Sequence, residues 1–248
     1  AEFHRLSGYL PGADALVGLP GVEVLTTSAT VIVDLALGHD ALWARAEGRS
    51  RTSVRKARKL GYTATFRPAH PADLTDDAPF RTLYEGTMRR VDAAPYYLFA
   101  HAYYEALLTG AEVFLCEVHG PMGVAAAALF LPFGDLAHYH LSGSAPQAAR
   151  DGANNLMIDE AMRGLMAQGR RALHLGGGVR AGDALFAFKR GFGGDVLPFR
   201  VARSVVDLDR CGLLLQRRAA QLGCTPDALT SSGYFPPYRA TPPKPAAS

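Results

Sequence analysis

The chain has 248 residues, of which 48% are hydrophobic and 20% charged, and this globular composition excludes a disordered or fibrous protein. The net charge of +3 excludes a uniformly basic surface, so a polyanionic partner would need a local basic patch, and we expect no DNA partner. Three cysteines without metal-ligand spacing predict no metal site and a reducing, cytoplasmic location, and no apolar run is long enough to span a membrane.

The first 60 residues contain two predicted elements. Residues 1–30 are rich in Gly, Pro and Thr, and their weak periodicity predicts no element there. A run of β-branched residues predicts a strand at Thr30–Leu35. The stretch Asp40–Leu60 predicts one helix that ends at Gly61.

A basic cluster lies on this helix. The stretch Arg45–Lys59 contains seven basic residues and one acid, and Arg51, Arg55 and Arg58 fall on one helical face. A charge run of this kind is commonly a solvated helix face. The same guanidinium groups suit phosphate, either in a tRNA backbone or in the pyrophosphate of a nucleotide-linked substrate. Both interpretations are open at this point.

From Tyr62 onward, strands and helices are separated by clear turn signals such as HGPMG and PFGD. The predicted strands are Tyr62–Arg67, Val113–Val118, Val124–Leu131, Leu136–Leu141, Ala172–Leu175 and Val196–Ala202. The predicted helices are Ala78–Arg90, Ala100–Thr109, Gly152–Gln168, a short one after Asp183, and Asp209–Leu222, with a loop at Ser142–Asp151. This order predicts an α/β (α+β) protein with a mixed, mostly antiparallel sheet flanked by helices.

One stretch, LHLGGGVRAGDALFAFKRGFGG at Leu173–Gly194, combines several signals. It predicts a strand, a glycine turn, a short helix that Asp183 caps, and a stop at Gly191. Lys189 lies near the end of that helix, between aromatic residues. By itself the pattern also fits an ordinary strand-to-helix connection with a solvated lysine. Neither the phosphate-loop nor the dinucleotide-binding glycine spacing is present.

This stretch, with the following Pro198 and Phe199, resembles the C-terminal signature of the Fem-type peptidyltransferases. They are a branch of the GCN5-related N-acyltransferase (GNAT) superfamily, and the resemblance extends over about residues 30–239. It implies part of a second GNAT-like domain beside the main one. The implied domains are a first-domain remnant with the basic helix at 1–60, a GNAT-like acyltransferase domain at 61–204, a C-terminal segment at 205–239 that returns to the first domain, and a disordered tail at 240–248. Because the first domain is short and the chain does not begin with Met, we expect sequence to be missing upstream.

The resemblance also implies roles for individual residues. Lys189 would be catalytic, because a fixed cation stabilises the negative charge that develops on a carbonyl oxygen during acyl transfer. Phe188 would stack on a terminal base of the donor, and Arg90 and Tyr139 would bind the acceptor. Without the resemblance, Arg90 compensates a helix dipole and Tyr139 is a packed aromatic residue. The other implied substrate-binding residues are Ser142, Asn154 and, for phosphate, Arg55.

The expected cofactor site is altered. GNAT enzymes hold the pyrophosphate of acyl-CoA at a helix N-terminus with a [QR]xxGx[GA] motif. Here Ala149 lies three residues before Gly152, where the motif has Gln or Arg, and Asn154 replaces the small residue. We therefore predict a donor other than acetyl-CoA and no cofactor. Asn154 and Asn155 are also candidates for simple helix caps.

The resemblance implies aminoacyl transfer from aminoacyl-tRNA to an amine of a peptidoglycan precursor or a similar acceptor. Two alternatives stay open: an N-acyltransferase that uses acetyl-CoA on a small amine, and a non-catalytic protein that binds tRNA or a cell-wall precursor. No general base stands out, and Asp183 and His174 are candidates only by their sequence proximity. We expect the sheet to open between the strands at 136–141 and 172–175.

Overall fold

The computed structural model of the protein describes residues 2–7, 15–178 and 182–241. The chain forms two compact units: Ala29–Leu197, and Ala1–Ser28 together with Pro198–Ser248. The predicted basic helix and the predicted GNAT-like elements up to Leu197 therefore share the larger unit. Most of the predicted disordered tail, residues 242–248, lies outside the described residues.

Strands and helices alternate along the described parts of the chain. The strands are β1 Glu2–Ser7, β2 Val22–Asp34, β3 Thr63–Pro68, β4 Phe114–Gly120, β5 Gly123–Phe133, β6 Leu136–Ser144, β7 Ala172–Gly176 and β8 Asp195–Ser204. The α-helices are α1 His39–Arg45, α2 Gly48–Lys59, α3 Pro79–Arg90, α4 His101–Gly110, α5 Pro146–Asp151, α6 Ala153–Ala167, α7 Ala184–Arg190, α8 Leu208–Leu222 and α9 Pro226–Thr230.

The sheet of the larger unit has the strand order β2-β7-β6-β5-β4-β3. Strands β3 to β6 form an antiparallel meander, and β7 pairs antiparallel with β2. Strand β7 pairs in parallel with β6. The predicted fold class is confirmed: a mixed, mostly antiparallel sheet flanked by helices.

Each face of this sheet carries a hydrophobic core. On one face, β-strand residues such as Val118 and Phe130 pack against α2 and α6, whose contributions include Val54 and Met157. On the other face, a second cluster joins the sheet to α3 and α4 and contains Phe80, Tyr84, Tyr104 and Leu129. The alternation of apolar residues along β4 and β5 supplies both faces, so these strands lie buried between two helical layers.

The prediction of one helix over Asp40–Leu60 is wrong, because the chain breaks into α1 and α2 at Ala46 and Glu47. Glu47 has an extended backbone (φ −62°, ψ 144°), and its N–H donates to the Gly191 carbonyl at 2.9 Å. A tertiary hydrogen bond to the end of α7 thus replaces the helical one. Nothing in the local sequence reveals that partner.

Two other boundaries differ from the predictions. The predicted loop Ser142–Asp151 contains the end of β6 and the helix α5, which has Pro146 at its first position. Strand β2 begins at Val22, eight residues before the predicted strand, and β1 lies where no element was expected. The N-terminal half of β2 is largely exposed, so it lacks the apolar run that signals a strand.

In the smaller unit, β1 pairs antiparallel with β8, from Glu2 opposite Ser204 to Ser7 opposite Phe199. Helix α8 is capped by Asp207, whose side chain accepts from the Arg210 N–H, and it packs on α9 through a small apolar cluster. The predicted helix Asp209–Leu222 is therefore confirmed.

Candidate functional site

The sheet of the larger unit opens between β6 and β7. The two strands pair only from Leu136 opposite Ala172 to His138 opposite His174, although both continue beyond that point. This confirms the predicted opening. Residues 139–144 and 175–177 therefore border a gap in the sheet where a substrate can contact backbone and side chains from both strands.

A bulge in β6 shapes one side of this gap. Ala128 and Phe130 of β5, two residues apart, pair with Ser142 and Tyr139 of β6, which are three residues apart. The extra residue puts Tyr139 and Ser142 on the same face of the strand. The Tyr139 hydroxyl donates to Ser142 Oγ at 2.5 Å, and burial raises the pKa of Tyr139 to about 12.

The opposite side of the gap is the strand, turn and helix of the signature stretch. Asp183 caps α7 by accepting from the Phe186 N–H at 2.8 Å, and the helix ends at Gly191, as predicted. Residues 179–181 of this stretch lie outside the described residues. The cap fixes the start of α7 and so sets which side chains of the helix turn toward the gap.

Lys189 of α7 points into the gap. Its side chain is only 9% exposed, its ammonium donates to the Gly177 carbonyl at 2.7 Å, and Nζ lies 5.9 Å from the centre of the Tyr139 ring. Burial lowers the pKa of Lys189 from 10.5 to about 8, while the charge of Asp183 opposes that shift. The solvated-lysine interpretation is therefore excluded, because this lysine is a buried cation beside Tyr139.

The glycine turn is tightly packed. At Gly176, which has a φ of +79°, a Cβ would lie 3.3 Å from Lys189 Nζ. At Gly177 it would lie 2.5 Å from the Ala29 carbonyl oxygen, and at Gly178 2.1 Å from an Asp183 carboxylate oxygen. Contacts within the protein therefore require small residues in this turn, independently of any donor.

Arg90 reaches the same end of β6 from α3. Its Nη2 donates to the Ser144 carbonyl and to Thr87 Oγ1, both at 3.1 Å, and Thr87 Oγ1 accepts from the Ser144 N–H. Arg90 remains exposed at the end of its helix. The structure thus brings Lys189, Tyr139, Ser142 and Arg90 to one region around the gap.

Phe188 lines a separate open pocket of about 180 Å³ at the N-terminus of α6. Its lining residues are Arg49, Ser50, Ser53, Asn155, Ala184 and Phe188. Asn154 lies next to it in the first turn of α6, but no side chain caps that helix, so neither asparagine acts as the predicted cap. The sequence analysis missed Arg49, which lies one helical turn before Ser53 on α2.

The three arginines of the basic cluster do not form one free face. Arg51 donates to the carbonyls of Trp43, Ala44 and Ala46 at the end of α1. Arg58 forms an ion pair of 2.8 Å with the buried Asp159. Arg55 is exposed and lies 5.4 Å over the Trp43 ring, outside the Phe188 pocket. The prediction of a common solvent-facing surface is wrong for Arg51 and Arg58, which stabilise the fold.

The N-terminus of α6 is covered by α2. A Cβ on Gly152, which has a φ of +93°, would lie 2.3 Å from the Ser53 carbonyl oxygen. Lys56 donates to the Arg150 carbonyl at 2.9 Å and lies 3.2 Å from the Asp151 carboxylate. Helix α2 therefore closes over the junction of α5 and α6, where the resemblance places the pyrophosphate of acyl-CoA.

The described residues include no group of three or more His, Cys, Asp or Glu side chains arranged to hold a metal ion. Within the same residues, no helix is long and apolar enough to cross a membrane. The side chains at the gap are a lysine, an arginine, hydroxyl groups and histidines. This set can bind anionic groups and stabilise an oxyanion.

Comparisons with known proteins agree with this geometry. Residues 44–190 match the family model of the acetyltransferase (GNAT) domain. A search of the curated proteins finds no match. The fold is similar to FemX, with 16% identity, a TM-score of 0.62, and coverage of 78% of this chain and 69% of FemX.

Two further solved structures share the fold. One is the C-terminal domain of a protein described as a lysylphosphatidylglycerol synthetase from Agrobacterium fabrum, with 18% identity, a TM-score of 0.54, and coverage of 86% and 69%. The other is a conserved protein of unknown function from Bacteroides thetaiotaomicron VPI-5482, with 12% identity, a TM-score of 0.55, and coverage of 77% and 64%.

At these identities the solved structures establish the fold, and the similarity to FemX supports the Fem-type branch. The family model covers more than half of the chain, including α2, the bulged strand β6 and Lys189. The protein therefore belongs to the GNAT family of acyltransferase domains.

Proposed function

We propose that the protein transfers an aminoacyl group from aminoacyl-tRNA to an amine of a peptidoglycan precursor or a similar acceptor. The observation that carries this proposal is the buried Lys189 ammonium in the gap between β6 and β7, 5.9 Å from the Tyr139 ring. A buried cation is costly, and such groups are concentrated at functional sites.

The chemistry requires stabilisation of an oxyanion. The acceptor amine attacks the carbonyl carbon of the aminoacyl ester, the C–N bond forms, and the C–O bond to the tRNA ribose breaks. The ribose oxygen leaves with a proton, and the amine nitrogen loses one. Lys189, mostly protonated at pH 7, faces the developing negative charge in a site largely shielded from water.

The donor assignment depends on the covered N-terminus of α6. The contacts of Ser53 and Lys56 with residues 150–152 occupy the place where a GNAT enzyme would bind pyrophosphate. The pocket beside it offers the Phe188 ring and the exposed Arg49 guanidinium. An aromatic face and a guanidinium suit a terminal nucleobase and its phosphate.

The comparisons support aminoacyl transfer as a class. The fold resembles FemX, and it also resembles a domain whose described product, lysylphosphatidylglycerol, carries an amino acid joined to a lipid headgroup. On the acceptor side, Arg90 and the Tyr139–Ser142 pair provide hydrogen-bonding groups beside Lys189.

A second candidate is an N-acyltransferase that uses acetyl-CoA and a small amine. The family model, described as an acetyltransferase domain, favours it. It would require α2 to move away from Gly152, or the pyrophosphate to bind elsewhere.

The test supplies both donors to the same protein. A tRNA pool charged with radiolabelled amino acids is compared with radiolabelled acetyl-CoA, using a peptidoglycan precursor peptide with a free lysine amine as acceptor. We expect label to reach the peptide from tRNA and not from acetyl-CoA. Transfer from acetyl-CoA alone would overturn the donor assignment, and tight tRNA binding without transfer from either donor would favour a non-catalytic binding protein.

A further inference from the structure

Two histidines meet at the point where the sheet opens. His138 of β6 and His174 of β7 form the last parallel pair between these strands. Their Nδ1 atoms are 2.9 Å apart, and His174 Nε2 lies 2.7 Å from Thr30 Oγ1 of β2. Side chains from three neighbouring strands thus form one hydrogen-bonded row at the closed end of the gap.

The geometry fixes how protons are arranged in this row. A contact between two Nδ1 atoms at 2.9 Å is a hydrogen bond only if one nitrogen carries a proton and the other a lone pair. When His138 donates through Nδ1, His174 accepts there and its Nε2–H donates to Thr30. His138 Nε2 is then a lone pair, and it has no hydrogen-bond partner among the described residues. The pair can accept one further proton at that nitrogen.

The surroundings keep both imidazoles neutral. Burial lowers the pKa of His138 to about 3 and also lowers the pKa of His174, and the positive charge of Lys189 adds to both effects. The other titratable neighbour is His140, whose pKa burial also lowers and which contacts the Tyr103 hydroxyl of α4. The pair is therefore unprotonated at neutral pH, with its lone pair available.

The pair and Tyr139 lie on different faces of β6. Tyr139 packs with the core under α2 and α6, whereas the flanking histidines alternate to the opposite face, where His140 meets α4. Lys189 contacts the Tyr139 side of the gap. A carbonyl held near Lys189 would thus be reached from the histidine side by an incoming amine.

We propose that His138 is the base that accepts a proton from the acceptor amine, and that His174, held by Thr30, is the residue that positions it. This inference rests on the proposed function. As the C–N bond forms, the amine proton moves to His138 Nε2, and the charge is shared through the Nδ1–H···Nδ1 bond to His174. When the ester C–O bond breaks, the departing ribose oxygen takes a proton and the pair returns to its neutral state.

The kinetic test uses variants of both histidines. His138→Gln keeps similar bulk, and His138→Ala leaves space for added imidazole. We expect both to lower the single-turnover transfer rate by about 10²-fold, the usual effect of losing a general base. Imidazole should restore the rate of His138→Ala at least about tenfold, and should not restore Lys189→Met. The matched control His101→Ala, at an exposed histidine of α4, should keep the parent rate.

A positioning role for His174 predicts a spectroscopic signature. In the ¹⁵N-histidine NMR spectrum of the parent, one shared Nδ1 proton should resonate far downfield at pH 7 and vanish in both His138→Gln and His174→Gln. His174→Gln should also change the pH dependence of the transfer rate.

The outcomes separate this inference from the proposed function. A parent protein that transfers label while His138→Ala matches its rate overturns the base and leaves the function standing. Absence of the shared proton overturns the pairing whatever the activity. No transfer by the parent from any donor overturns the function and, with it, this role.

Discussion

Lys189→Met tests whether Lys189 holds a buried charge. Methionine keeps most of the stem volume and removes the ammonium. A pKa lowered from 10.5 to about 8 means that, at pH 7, the charged form costs roughly 3 kcal/mol of folding free energy, at about 1.4 kcal/mol per pH unit. The substitution removes this cost, but it leaves the Gly177 carbonyl without its 2.7 Å donor, a loss of about 1–3 kcal/mol.

The expected result is a variant that is as stable as the parent at pH 7 or more stable by up to about 2 kcal/mol. The sign then changes with pH. Because the folded pKa lies below the unfolded one, the unfolded parent binds more protons between about pH 8 and 10.5, so the parent gains stability across that window. The difference between variant and parent should therefore shift by roughly 3 kcal/mol in favour of the parent.

Urea unfolding at several pH values from 7 to 10.5 measures this difference. Groups unaffected by Lys189 cancel between the two proteins, and the histidines that Lys189 influences titrate below this window. Lys59→Met, at an exposed lysine of α2, is the control and should stay within about 0.5 kcal/mol of the parent throughout. A Lys189→Met variant that is less stable at pH 7 by a margin independent of pH would refute the buried cation.

Three further variants test the fold and the tRNA surface. Gly152→Ala should cost roughly 3–4 kcal/mol in urea unfolding because its Cβ meets a backbone carbonyl, whereas Gly61→Ala, at a similar φ in open space, should cost about 1 kcal/mol; equal losses would refute the contact. Asp159→Asn should cost roughly 2–3 kcal/mol and the exposed Asp195→Asn less than about 1 kcal/mol by the same assay. Arg55→Ala should lower the salt dependence of tRNA affinity by about one counterion in filter binding, and an unchanged slope would exclude phosphate contact.

The parts of the fold that depend on local patterns were predictable. Glycine and proline signals marked the turns of the meander, and Asp183 and Gly191 bound α7 as expected. The opening of the sheet followed from the order of elements. In contrast, the break at Glu47 depends on a hydrogen bond to Gly191, 144 residues away, which no local pattern reveals.

The site was predictable only in part. The signature located Lys189, but its burial could not be read from a single lysine among aromatic residues. The contact between Tyr139 and Ser142 depends on one extra residue in the pairing of β6 with β5. The meeting of His138 and His174 depends on the register of two strands that are distant in sequence. Register is a tertiary property, so spacing along the chain did not reveal these neighbours.

The central claim is that Lys189 stabilises the oxyanion of aminoacyl transfer. Its most direct test is the single-turnover rate at saturating aminoacyl-tRNA for the parent and Lys189→Met, with donor affinity measured alongside. We predict a rate lower by about 10²–10³-fold, the usual effect of removing one oxyanion donor, with donor affinity changed less than about threefold. Transfer by Lys189→Met at the parent rate would contradict the claim.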